Sequence, residues 1–159
     1  MTRFLALLLL LHVPLFSLAD DRAKLVGNWK LVSWDIEIQA TGERRAGMGG
    51  KTSGWLIFTP EGRMMALITA EGRKPAKTTE ERAALYSTML SNTGMYRIEG
   101  DKFITKVDLS WNEAWNGTEQ ARFYKLDGDR LDVVSAWAKS PTIPGEPMTR
   151  GILTWERVR

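Results

Sequence analysis

Polar and apolar residues alternate in period two along most of this chain, and the alternation comes in short stretches separated by turn residues. In the first stretch, Leu25 to Gln39, Gly27, Trp29, Leu31 and Ser33 fall on one face and Lys30 and Trp34 on the other. Gly54 to Thr59 is a compact apolar run that stops at Pro60-Glu61-Gly62-Arg63, a turn signal, and Met64 to Thr69 reads as its hairpin partner. Met95 to Ile98 and Lys102 to Trp111 follow, joined at Glu99-Gly100-Asp101; in the longer of the two, Phe103, Thr105, Val107, Leu109 and Trp111 alternate with charged or small polar residues. Glu119 to Leu126 and Arg130 to Trp137 are joined by Asp127-Gly128-Asp129, and Gly151 to Arg157 closes the series. Eight such segments linked by tight turns predict an all-β fold: an eight-stranded, antiparallel, up-and-down barrel just wide enough to hold one small ligand.

One stretch breaks the rule. Thr78 and Glu81 stand at capping-box spacing, and Ala83, Tyr86, Met89 and Leu90 recur at helical intervals, which predicts one short helix between the third and fourth strands. Residues 40–53, 70–77, 112–118 and 138–150, rich in Gly, Pro or charge, read as loops.

The first 19 residues do not share the pattern. A positive start at Arg3, an apolar run from Phe4 to Phe16 and the small residues of Ser17-Leu18-Ala19 have the form of a signal peptide cleaved after Ala19. The run is shorter than the roughly 20 apolar residues that a spanning helix needs, and Pro14 interrupts it. The reading is therefore an exported protein, periplasmic or secreted, whose mature chain, residues 20–159, is one barrel domain without a membrane span.

Composition narrows the chemistry. Loss of the leader removes only Arg3 from the charge count, so the formal charge falls from +3 to +2. So balanced a chain, its basic residues scattered, gives no reason to expect nucleic acid as a partner. The sole His is His12, in the leader, and there is no Cys. The mature chain thus has no thiol nucleophile, no imidazole base, and none of the usual ligands for zinc or haem, so no cofactor is expected. Without disulfides the barrel must be held by packing, to which seven Trp can contribute.

The ordered set Gly27-Asn28-Trp29, Gly54-Trp55-Leu56-Ile57-Phe58-Thr59-Pro60-Glu61-Gly62-Arg63, Gly94-Met95-Tyr96, Trp115-Asn116-Gly117-Thr118, Leu126-Asp127-Gly128-Asp129 and Leu153-Thr154-Trp155-Glu156-Arg157 resembles the bacterial lipocalin-like domain proteins of the wider calycin group. The resemblance runs through nearly the whole mature chain. It implies that Trp29 closes one end of the barrel beneath a basic side chain from the C-terminus, Arg157 or Arg159, by stacking of a guanidinium on an indole. It implies no particular ligand, since one barrel fold hosts many functions.

Candidate binding residues follow from strand facing. Gln120, Arg122 and Tyr124 share a face with Leu126; turned inward, they would present an amide, a guanidinium and a phenol able to grip the anionic end of an apolar ligand. The other facing, an outward polar face with Ala121 and Phe123 inside, stands beside it and is favoured by the aromatic Phe123. Phe103 belongs to the inward set of its strand, Trp111, Trp115 and Trp137 could form an aromatic mouth, and Ser33 and Tyr96 are further polar candidates. Glu37, Asp108 and Glu113 are carboxylates that acid-base chemistry could use, but no motif holds two of them at a working separation.

These features favour binding of a small, hydrophobic or amphipathic molecule inside the barrel. The alternative is a cofactor-independent isomerase or cyclase acting on a small hydrophobic metabolite in the same pocket; an interaction module using exposed aromatics is a third class. If the leader is removed as its residues predict, N-terminal sequencing of exported protein will begin at Asp20; material that retains Met1 would refute export by this route.

Overall fold

The structure, a computed structural model, describes residues 22–140 and 143–159. The leader expected at residues 1–19 lies outside the described residues. Ten strands follow in chain order: β1 Gly27–Ile38, β2 Arg44–Ala46, β3 Thr52–Phe58, β4 Arg63–Ala70, β5 Met89–Glu99, β6 Lys102–Ser110, β7 Glu119–Asp127, β8 Arg130–Ser135, β9 Ala138–Lys139 and β10 Met148–Val158. The helix α1, Thr79–Ser87, lies between β4 and β5. Long strands pair with their neighbours in the order β1-β3-β4-β5-β6-β7-β8-β10, and β10 returns to pair with β1 from Asn28↔Val158 to Ile38↔Thr149. The result is the closed, eight-stranded, antiparallel, up-and-down barrel that the alternation predicts, with one short helix. The short strands β2 and β9 extend one end by pairing with β1 and β10.

Inward positions make one core. Trp29, Leu31, Leu56, Phe58, Phe103, Leu131, Val133 and Trp155 are all buried within it. Phe58 meets both Tyr96 and Phe103 edge to face, at centroid distances of 4.9 and 5.2 Å.

Two β-bulges change facings that strict alternation predicts. Leu31 pairs with Trp155 but Ser33 with Thr154, so Val32 is an extra residue, and its side chain is exposed. Beyond it the faces exchange: Ser33 turns out, and Trp34 and Ile36 turn into the barrel. The second bulge lies in β6, where Thr93 pairs with Leu109 and Gly94 with Val107, leaving Asp108 unpaired. Leu109, expected inside, is 64% exposed as a result. Gly94 permits this close approach, because a Cβ there would lie 1.9 Å from the Lys106 carbonyl oxygen.

The helix is capped as expected: the Thr78 hydroxyl accepts from the Glu81 N–H at 3.2 Å, and the Glu81 carboxylate accepts from the Thr78 N–H at 3.2 Å. It is shorter than the apolar spacing suggested. Met89 and Leu90 belong to β5, where pairing with Thr69 and Ile68 overrides helical periodicity.

The hairpin turns at 59–62, 100–101 and 128–129 lie at one end of the barrel, and that end is sealed by the expected cation–π contact. The Arg157 guanidinium carbon sits 4.1 Å from the Trp29 ring centroid, and the indole N–H donates to the Leu25 carbonyl at 2.9 Å. Arg157 also donates through Nη1 to the Val26 carbonyl at 2.8 Å and through Nη2 to the Lys24 carbonyl, tying the helical turn at residues 22–25 across the end. At Gly27, φ is +139° and an added Cβ would lie 2.8 Å from Arg157 Nη1, so glycine meets both the backbone and the space requirement. Arg157→Ala removes the stack and two charge-assisted hydrogen bonds together, and a loss of about 2–3 kcal/mol in denaturant unfolding is expected. Arg157→Lys should recover little of it, since an ammonium cannot stack and fork as the guanidinium does.

Candidate functional site

The opposite end carries the long connections, whose described residues fall within 39–51, 71–88, 111–118 and 136–147. Below them lies a cavity of about 710 Å³, within the range of small-molecule pockets. Its lower wall is apolar, formed by Leu56, Met64, Ile68, Val133, Leu153 and Trp155, and Trp34, Trp111 and Trp115 stand higher. Trp111 and Trp115 meet edge to face at 5.1 Å. Tyr86 of α1 stacks on Trp111 at 6.1 Å and donates its hydroxyl hydrogen to the Trp111 carbonyl at 2.6 Å, mooring the helix beside the mouth.

Strand pairing decides which face of β7 turns in. Leu126 pairs with the fully buried Leu131, Tyr124 with Val133 and Arg122 with Ser135, and Phe123 is left 42% exposed on the outside. Arg122 therefore lines the cavity beside Phe103. Nη1 donates to the Ala121 carbonyl at 2.8 Å and to Gln120 Oε1 at 3.4 Å, and no carboxylate among the described residues forms an ion pair with it. Burial in the barrel wall pushes the pKa of the guanidinium down to about 10, so Arg122 remains a cation at neutral pH.

Gln120 holds this cation. Its Nε2 donates to Thr118 Oγ1 at 2.9 Å, and the Thr118 hydroxyl donates to the Trp115 carbonyl at 2.7 Å. That chain aims Oε1 of the amide at Arg122.

The other predicted residues divide. Phe103 and Trp111 line the cavity with Gln120 and Arg122. Tyr96 and Tyr124 do not: Tyr96 is buried against Phe58, and Tyr124 packs on Phe103 at 6.2 Å, both within the filled part of the barrel. Burial raises the pKa of the Tyr96 hydroxyl. Trp137 is not in the lining either; the Arg150 guanidinium carbon stands 4.5 Å from its ring centroid. The carboxylates are engaged or exposed. Glu37 binds Arg150, Glu113 lies in the exposed turn before Trp115, and Asp108 is outside, where Arg63 at 2.9 Å holds its carboxyl below the usual range. Glu119, at the rim, is clamped by Arg97 through bonds of 2.7 and 3.0 Å.

Trp34, Asn92 and Thr105 are wall residues that were not singled out as cavity residues by the alternation. Trp34 was hidden by the bulge at Val32, and Asn92 by the helix-like spacing just before it. The inward set of β6 did include Thr105, but no local signal marks a threonine as a cavity residue rather than core.

The family model described as the lipocalin-like domain matches residues 26–158, from the strand that carries Trp29 to the last strand. No curated protein matches the chain.

An uncompensated cation in the cavity wall costs stability. Burial holds its pKa down to about 10, below the ordinary guanidinium range, and at about 1.4 kcal/mol per pH unit the cost is at most on the order of 3–4 kcal/mol. Arg122→Met, which keeps the stem and removes the charge, should raise the unfolding free energy of the ligand-free protein by up to that amount. Because the folded pKa is depressed, the cost is fully present below about pH 10 and fades as pH rises through that value. Denaturant unfolding of both proteins from pH 7 to 11 should therefore show a gap that narrows at the alkaline end; a gap of zero at pH 7 would refute the assignment.

Proposed function

The chain belongs to the lipocalin-like domain family, and on that premise we propose that it is an exported binding protein for a small, largely apolar molecule with an anionic end. The single observation that carries this reading is Arg122, a cation without a carboxylate partner among the described residues, set beside the apolar lower wall of the cavity. A ligand carboxylate would supply the missing charge, while the apolar wall takes up the body. Burial stabilises the complex by about 25 cal/mol per Å² of apolar surface, and a hydrogen bond to a charged group by about 1.5–3 kcal/mol. The apolar leader read at residues 1–19 supports export, to the periplasm or beyond.

The carboxylates that an isomerase or cyclase would need are ion-paired or outside the cavity, so binding is the better-supported reading. Trp34, Trp111 and Trp115 provide an intrinsic fluorescent report on occupancy. Titration with dodecanoate and with dodecanol should give Arg122→Met a loss of about tenfold or more for the acid and little change for the alcohol. Acid binding should also weaken as pH falls through the probe's own pKa, near 4–5. Equal acid affinity with and without Arg122 would overturn the anion grip.

A further inference from the structure

Two more polar side chains in the cavity wall have unused hydrogen-bonding groups. Asn92, on β5, is 5% exposed, and its amide makes no hydrogen bond with the described residues. Its cross-strand partner on β4 is Ala66, and Leu90 precedes it in the lining. Thr105, on β6, is fully buried, and its Oγ1 has no partner. Valine would fill the same space without the polar atom, so packing alone does not call for a hydroxyl there.

Ser135 is the contrasting case. Its hydroxyl accepts from the Gly151 N–H at 2.8 Å and donates to the Ala136 carbonyl at 3.1 Å, so the scaffold itself uses it. Asn92 and Thr105 serve no such purpose.

Their placement relative to Arg122 is set by register. Thr105 pairs with Gln120 on one side and with Tyr96 on the other, and Asn92 lies four residues before Tyr96, nearer the open end of β5. The three side chains therefore run obliquely across the adjacent strands β7, β6 and β5. The rest of the lower wall, on β3, β4, β8 and β10, is apolar. The indole N–H groups of Trp34, Trp111 and Trp155, all wall residues, are also buried donors without an acceptor. The interior thus has a polar stripe, and its indoles bias the demand toward acceptor oxygens.

Resting on the anion-grip reading, we infer that the ligand class is an oxygenated acid rather than a plain fatty acid. Besides its anionic end it carries at least one hydroxyl or carbonyl oxygen partway along the apolar body, and Asn92 and Thr105 receive it.

The test uses the full chain and a matched probe series: dodecanoate, and hydroxy- and oxododecanoates with the oxygen moved stepwise along the chain. At least one positional isomer should bind about tenfold tighter than dodecanoate. In the double variant Asn92→Leu/Thr105→Val that gain should vanish, so that no isomer binds that variant tighter than dodecanoate does. Isomers that never exceed dodecanoate, or a gain that survives both substitutions, would overturn the inference and leave the anion grip standing. If dodecanoate itself fails to bind, the anion grip falls and takes this inference with it. If the double variant does not fold, the isomer series on the unaltered protein and Thr105→Val alone decide by the same criteria.

Discussion

The seam between β1 and β10 is what turns a meander of hairpins into a container. Every other pairing of the long strands joins strands that follow one another along the barrel meander, but this one brings Asn28–Ile38 against Thr149–Val158 across the length of the domain. The loop-closure entropy is large, and it is offset only when the barrel interior packs at the same moment. Trp29 and Trp155 carry much of that packing, both essentially fully buried beside the seam. Arg157 then holds the end shut by covering the indole of Trp29 and bonding the carbonyls of Val26 and Lys24.

Closure makes the two ends unequal. At the end of the short hairpins the interior is filled by Phe58, Tyr96, Phe103 and Leu131, and no room remains for a ligand. At the other end the strands diverge into long connections, and the same inward positions line a cavity. The bulge at Val32 matters here, because it delivers Trp34 and Ile36 to the wall in place of Ser33 and Glu37. Without that extra residue the upper wall of β1 would be polar and the seam's outer face apolar.

The cavity is also where the fold gives up stability. A guanidinium in the cavity wall, the Thr105 hydroxyl without a partner and buried indole N–H groups all work against the folded state. They gather around one cavity and are nearly absent from the filled end. Sites that bind by filling unmet demands of this kind are less stable empty than occupied. Gln120 shows that the arrangement is ordered, since its amide is fixed by Thr118 and holds Arg122 toward the interior.

The number of long strands, the hairpins at 59–62, 100–101 and 128–129 and the capped start of α1 were legible in the amino-acid order. Each depends on contacts close in sequence or on a period-two pattern that a half-buried strand imposes residue by residue. Facing was legible only until a bulge intervened. Val32 and Asp108 look like ordinary strand residues, and a bulge exists only relative to a partner strand, so Trp34 and Leu109 were assigned to the wrong sides. For β7 the residues allowed both facings, with Leu126 favouring one and Phe123 the other. Pairing with Leu131 and Val133 chose between them. The sequence alone thus determined that a barrel forms, because that follows from local pattern, whereas the seal of Arg157 on Trp29 was implied by the family resemblance and is a contact between the two ends of the domain. Whether Arg122 stands in solvent or in the cavity was decided by register between strands, which only the closed tertiary structure defines.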